Sequence, residues 1–210
     1  MNTSTALKLL LGTAALTLPL IASAASTVTT GTGTITAGAT VNFTITIPQY
    51  LYLRVGTGSA YSTGTLSTVT TADLITFAPT AAVVGNGAPV AGTGGDLTGG
   101  VETAALIGNG GNIILTAAAG GPLTDTAGDT IAYTQINTTA AANTTGYSTL
   151  AAPALSNTST SETITAVKNV VQADAKWTFS YVNSAPVAAG TYGGTTAALN
   201  GTVTYTASMP

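Results

Sequence analysis

The side chains able to do chemistry in this chain are few. Asp73, Asp96, Glu102, Asp125, Asp129, Glu162 and Asp174 are its seven acidic residues, set against the four basic residues Lys8, Arg54, Lys168 and Lys176. Two well-placed carboxylates suffice to hydrolyse a glycosidic bond, one as acid and the other as base or nucleophile. No spacing among the seven singles out a pair, and no aromatic-rich stretch announces a sugar cleft. Asp125 and Asp129 bracket DTAGD, which offers carboxylates and carbonyls to a hard cation, but a calcium loop carries more ligands, and a hairpin turn accounts better for this spacing. The absence of His and Cys removes the usual general base, the commonest zinc ligand, thiolate nucleophiles, iron–sulfur ligation and disulfides.

A nucleophilic Ser one helical turn before a Lys is also missing, because Thr165 and Ala173 stand three residues before Lys168 and Lys176. Either lysine could crosslink to an Asn beside a buried acid, but no motif supports this, and both read as solvated side chains. The Gly-rich run before Leu97 has the composition of a phosphate loop without the Lys or the helix that such a loop needs. Asn42, Asn137, Asn143, Asn157 and Asn200 begin Asn-x-Ser/Thr triplets that a Thr-rich chain produces by chance. The expectation is therefore no enzymatic activity, with no catalytic residue, no cofactor and no metal ligand.

Charge restricts the partners in the same way. Only 5% of residues are charged and the net charge is −3. Scattered basic residues cannot hold a phosphate backbone, which excludes nucleic acid, and they offer no polybasic patch to anionic lipid.

The elements that must position these residues begin after an address. Residues 1–24 carry one positive charge at Lys8, an apolar stretch over 9–21 and a small-residue site at Ala22-Ser23-Ala24, the three regions of a cleaved signal peptide. Cleavage after Ala24 removes Lys8 and leaves three basic residues against seven acidic, a formal charge of −4. No Cys follows the site to take a lipid, and no later apolar run reaches the roughly 18 residues of a membrane span. The reading is export to the periplasm, the medium or the bacterial cell surface. Residues 25–210 then form a single domain with a Gly-rich insertion around 85–111.

Thr, Val, Ile and Tyr dominate the exported part, a composition suited to pleated, half-buried surfaces. Alternation is plainest at 40–47, TVNFTITI, where Val41, Phe43, Ile45 and Ile47 share one face. YLYLRV at 50–55 sets Tyr50, Tyr52 and Arg54 against Leu51, Leu53 and Val55. Further strands are expected at 74–77, 112–117, 130–134, 163–167, 176–182 and 202–207, with long loops or loosely paired edge strands at 85–111 and a long loop at 138–160. Asn86-Gly87, Asn109-Gly110 and Asn200-Gly201 suit tight hairpin turns. Trp177, Phe179 and Tyr181 form a core stripe that Tyr192 and Tyr205 extend. These signals predict an all-β fold, an antiparallel β-sandwich of Ig-like or pilin-like Greek-key type.

A neutral surface with little Lys leaves sheet edges unguarded against another strand. Self-association by strand addition follows as the expected role, with residues 26–36 as either a donor segment or an ordinary first strand, since Val28 and Ile35 fall on opposite faces. Ala189-Gly190-Thr191-Tyr192 followed by Gly201-Thr202-Val203-Thr204-Tyr205 resembles the closing strands of spore-coat-U and related chaperone–usher pilin domains over the last 20 or so residues. The early Cys of many such domains is missing here, and residues 193–200 interrupt the motif. The resemblance implies a fimbrial, fibre or matrix subunit, adhesive or structural, with other surface proteins or a periplasmic chaperone as partners. The alternative is a monomeric carbohydrate- or surface-binding module displaying Tyr50 and Tyr52. Thr-x-Thr runs also suggest ice binding, which needs a flat repeated array that no sequence repeat supplies.

Overall fold

The computed structural model describes residues 25–57 and 70–210. The expected signal segment, residues 1–24, lies outside them. In chain order the strands are β1 (Ala25–Ser26), β2 (Ala39–Thr40), β3 (Leu51–Val55), β4 (Ile75–Thr76), β5 (Val90–Ala91), β6 (Thr93–Gly94), β7 (Val101–Gly108) and β8 (Ile113–Ala119). They continue with β9 (Leu123–Thr124), β10 (Thr130–Ile131), β11 (Ile136–Ala141), β12 (Ser148–Thr149), β13 (Ser159–Ile164), β14 (Val171–Tyr181) and β15 (Val203–Ser208). Two 3-10 turns, Tyr133–Gln135 and Ala197–Leu199, are the only helical pieces among the described residues. None of these is long and apolar enough to cross a membrane.

The chain divides into two units, residues 1–47 and 48–210. In the first, β1 and β2 pair antiparallel, Ala25 opposite Thr40. Threonine hydroxyls carry the hairpin inward: Thr27 Oγ1 donates to the Gly38 carbonyl at 2.8 Å and accepts from the Gly38 N–H at 3.1 Å, while Thr29 Oγ1 donates to the Thr36 carbonyl at 3.0 Å. Such side chains substitute for ladder bonds where the backbones separate. The strand expected over 40–47 is corrected here. Only Thr40 pairs, and residues 41–47 enter no ladder.

In the second unit a six-stranded sheet has the order β11-β14-β7-β3, with β5 and β12 also bonded to β14. The β12–β14 pair is parallel and the other ladders of this sheet are antiparallel. A three-stranded antiparallel sheet, β13-β8-β15, and the pairs β9–β10 and β4–β6 complete the strands. The all-β expectation therefore holds at the level of class.

Alternation in β14 explains its length. Val171, Ala173, Ala175, Trp177, Phe179 and Tyr181 are buried on one face, so each residue added to the strand extends the core. Ala104 and Leu106 of β7 join them with Ile113, Leu115 and Ala117 of β8, so both larger sheets contribute to one core. Trp177 is fully buried and its indole N–H donates to the Leu150 carbonyl at 2.8 Å. Its ring lies 5.3 Å from that of Tyr205, tilted by 45°, within the favourable range for an aromatic pair. Tyr192 is not part of this cluster; its hydroxyl donates to the Ala188 carbonyl. Tyr133 takes a core place instead, and Phe77 packs at 6.4 Å from Tyr181.

Three further expectations change. The Gly-rich stretch 85–111 contains β7, a central strand with seven of its eight residues buried. The loop expected over 138–160 contributes β11, β12 and the start of β13, which begins at Ser159 rather than 163. Finally, the Asn-Gly turns do not join neighbouring strands: Asn109-Gly110 leads from β7 in one sheet to β8 in the other. Asn86-Gly87 precedes β5, which pairs with the distant β14, and Asn200, at φ 54°, closes a 3-10 turn ahead of β15.

Candidate functional site

A cluster of exposed large apolar side chains lies in the segment that the alternation picked out, although the single most exposed one, Val28 at 93%, belongs to the hairpin before it. Val41, Phe43, Ile45 and Ile47 are 66%, 87%, 85% and 74% exposed. Apolar side chains recur here at every second position of the sequence, and residues 41–47 lie outside every ladder and are exposed throughout. The donor expected at 26–36 is differently placed. Its flank is tied to 36–40 by the hairpin of the first unit, which leaves 41–47 as the unpaired stretch.

Sheet edges are the complementary feature. Among the described residues β15 and β13 each pair only with β8, so they are the two margins of the three-stranded sheet. Along β15, half-buried Val203, Tyr205 and Ala207 alternate with exposed Thr204, Thr206 and Ser208, and β3 is its neighbour in the other sheet. Neither Lys nor Pro interrupts this edge, the residues that usually guard one. The outward face of the same sheet is uncharged, with Ser161, Thr116 and Thr206 as its middle row and Thr116 Oγ1 2.8 Å from Ser161 Oγ. Three short strands about 4.8 Å apart present roughly 200–300 Å², far below the ~800 Å² per partner of a stable interface.

The carboxylates gather where the sequence shows no pattern. Asp73, ahead of β4, Asp96, in the turn after β6, and Glu102, on β7, meet at the end of β3. Glu102 is 5% exposed and Asp73 lies at the surface. The Thr57 N–H donates to Asp73 Oδ2, the Asp96 N–H to Glu102 Oε2 at 3.4 Å, and the Thr103 N–H to Asp96 Oδ1 at 2.8 Å. Thr103 Oγ1 also bonds Asp96 and accepts from Arg54 Nη2 at 3.2 Å. Gly56 is required here: at φ 72°, an added Cβ would lie 2.5 Å from Glu102 Oε2 and 2.6 Å from Asp73 Oδ2. Burial, helped by the charges of Asp73 and Asp96, pushes the Glu102 carboxyl up to about 8. It is protonated at neutral pH and hydrogen-bonded to Asp73.

The remaining acids are dispersed. Asp125 Oδ1 accepts from the Ala127 and Asp129 N–H groups in the β9–β10 hairpin, the turn the sequence suggested. Asp174 is buried on β14 beneath residues 143–144, accepting from Asn143 Nδ2 and from the Thr144 N–H and hydroxyl. Register sets Asp174 and buried Arg54 in one cross-strand row on either side of Ala105. Glu162, Lys168 and Lys176 are exposed. Among the described residues no three His, Cys, Asp or Glu side chains are arranged to hold a metal ion. A cavity of about 170 Å³ lined by Thr130, Ile131, Gln135, Tyr181, Ser184 and Val187 contains no ionisable group except the Tyr181 phenol. Tyr50 is 41% exposed and Tyr52 half-buried, with no exposed aromatic row beside them among the described residues. No family model, curated protein or solved structure matches the chain.

Proposed function

We propose that this chain is an exported β-sandwich with a structural role, a self-associating subunit of a fibre or matrix at the bacterial surface joined by strand addition. The observation that carries the reading is the exposure of Val41, Phe43, Ile45 and Ile47, which alternate in sequence on a segment that enters no ladder. Burying such side chains is worth about 1.5–3 kcal/mol each before the cost of ordering them. The acceptor in this reading is the β15 edge of a second copy, where the core-facing row is only half covered. A core drawn from both larger sheets supports the sandwich architecture. A periplasmic chaperone that shields the apolar segment before assembly fits the same chemistry.

The test is negative-stain electron microscopy with light scattering on three purified chains: residues 25–210, the same lacking 26–36, and the same lacking 26–47. Filaments that survive the shorter deletion and vanish with the longer one support donation by 41–47. Filaments in all three reject that donor. A monomer in every case, across concentration and salt, defeats self-association by the isolated chain and returns weight to a monomeric surface-binding module.

A further inference from the structure

We propose that Asp73 and Glu102 form a proton-sharing latch, a pH-responsive device that pins residues 70–76 to the end of β3 and releases them when the pair loses its proton. The proposal is independent of the assembly reading.

Its geometry joins four separate stretches of chain. Glu102 is fixed on central β7, paired with Trp177 of β14 in register and nearly shut off from solvent. Asp73 is carried by the surface stretch that leads into the two-residue β4, whose own ladder consists of two pairs with β6. So little ladder cannot hold a segment by itself. Ile75 packs against the core and Thr57 Oγ1 donates to the Thr71 carbonyl at 3.4 Å, and the charged tie to β3 is the Asp73 carboxylate, which accepts the Thr57 N–H and meets Glu102 in the space left by the absent side chain of Gly56.

One proton between the two carboxyls makes a hydrogen bond; without it two negative charges face each other at the margin of the core. Every charged or titratable neighbour sharpens or leaves untouched this response. Asp96 adds a third negative charge from the β6–β7 turn, its carboxylate held by Thr103. Tyr205 approaches from β15 and stays neutral far above this range because it is buried. Arg54 and Lys176 flank Thr103, which projects from the opposite face of the sheet to Glu102, and Arg54 bonds the Thr103 hydroxyl. Ionisation of Glu102 therefore gains no cation on its own face. The carboxyl retains its proton to about pH 8, so the latch is closed in acid and at neutrality and opens in mild base.

Trp177 is the sole tryptophan and lies opposite Glu102, which gives a direct optical probe. The experiment follows Trp177 fluorescence and limited proteolysis within 70–76 between pH 5 and 9.5, with cleavage normalised to a peptide of the same sequence. The expected result is a fluorescence titration with its midpoint near 8 and a rise in normalised cleavage of about tenfold over the same interval. Glu102→Gln removes the titrating group and should abolish both responses, whereas Asp73→Asn removes the facing charge and should abolish the rise in cleavage while the buried Glu102 still titrates, at lower pH than in the wild type. If one variant fails to fold, the other carries the test. A fluorescence titration of the wild type without a change in cleavage overturns the latch, as does cleavage that rises equally in wild type and in either folded variant.

Discussion

Replacing Glu102 by Gln should make the protein more stable at neutral pH and leave it almost unchanged in acid. In the folded chain the Glu102 proton is held to about 8, whereas the unfolded chain releases it near 4.5. Between those values the folded state binds the extra proton, so its stability falls as pH rises, by up to about 1.4 kcal/mol per unit. Below 4.5 both states are protonated and the contribution is fully present; above about 8 both are ionised and the loss is complete. The whole interval sets an upper limit of about 5 kcal/mol. Solvent reaches the pair from the Asp73 side, and discounting for that screening leaves about 2–3 kcal/mol. For a domain of this size that corresponds to roughly 5–10 °C in Tm. Thermal and urea unfolding of wild type and Glu102→Gln at half-unit pH steps from 4 to 9 would measure the difference curve, in which effects of the other carboxylates common to both proteins cancel. The curve should start near zero, climb through the interval and level off. A difference that is flat with pH, or a variant uniformly less stable, refutes the reasoning.

Asn183 should prove a structural hub: it is wholly buried, accepts the Gly85 N–H at 2.7 Å and donates to the Val83 carbonyl at 2.7 Å, all at φ 56°. Asn183→Ala should cost about 3–4 kcal/mol in urea unfolding, and Asn183→Gly about 1 kcal/mol less, since glycine relieves the left-handed backbone; equal losses would count against the backbone contribution. In the exposed segment, the double change Phe43→Ser and Ile45→Ser should leave Tm within about 1 °C yet weaken association at least a hundredfold by sedimentation. A Tm drop of several degrees would mean that these side chains already stabilise the fold.

Much of the strand content is legible locally. The KWTFSY half of β14 and VTYTAS alternate in the sequence as they do in burial, and the Trp177, Phe179 and Tyr181 stripe is core, whereas in LYLRV the strand is legible but Arg54 is its most buried residue and Leu51 is exposed. The central β7 is not legible in this way. VETAALIG is buried on both faces, so it lacks the alternation that reveals a half-exposed strand. Its Gly-rich approach reads as loop for the same local reason.

The sequence by itself determined the β class, the aromatic stripe and the lack of His and Cys chemistry, because composition and period-two patterning act on each segment separately. Tertiary structure alone decided what those segments meet. TVNFTITI alternates as well as any strand in the chain, but a pattern specifies which side chains share a face and not whether another strand covers them. Asn-Gly dipeptides supply a turn, while the pairing of β7 with β14 and β8 with β15 sets which sheet the chain enters next. Asp73, Asp96 and Glu102 show no motif because they come from three separate elements. Asp96 lies only six residues before Glu102, but long-range pairing is what brings Asp73 and Glu102 to Gly56, where burial and mutual repulsion give Glu102 a proton affinity that no local reading contains.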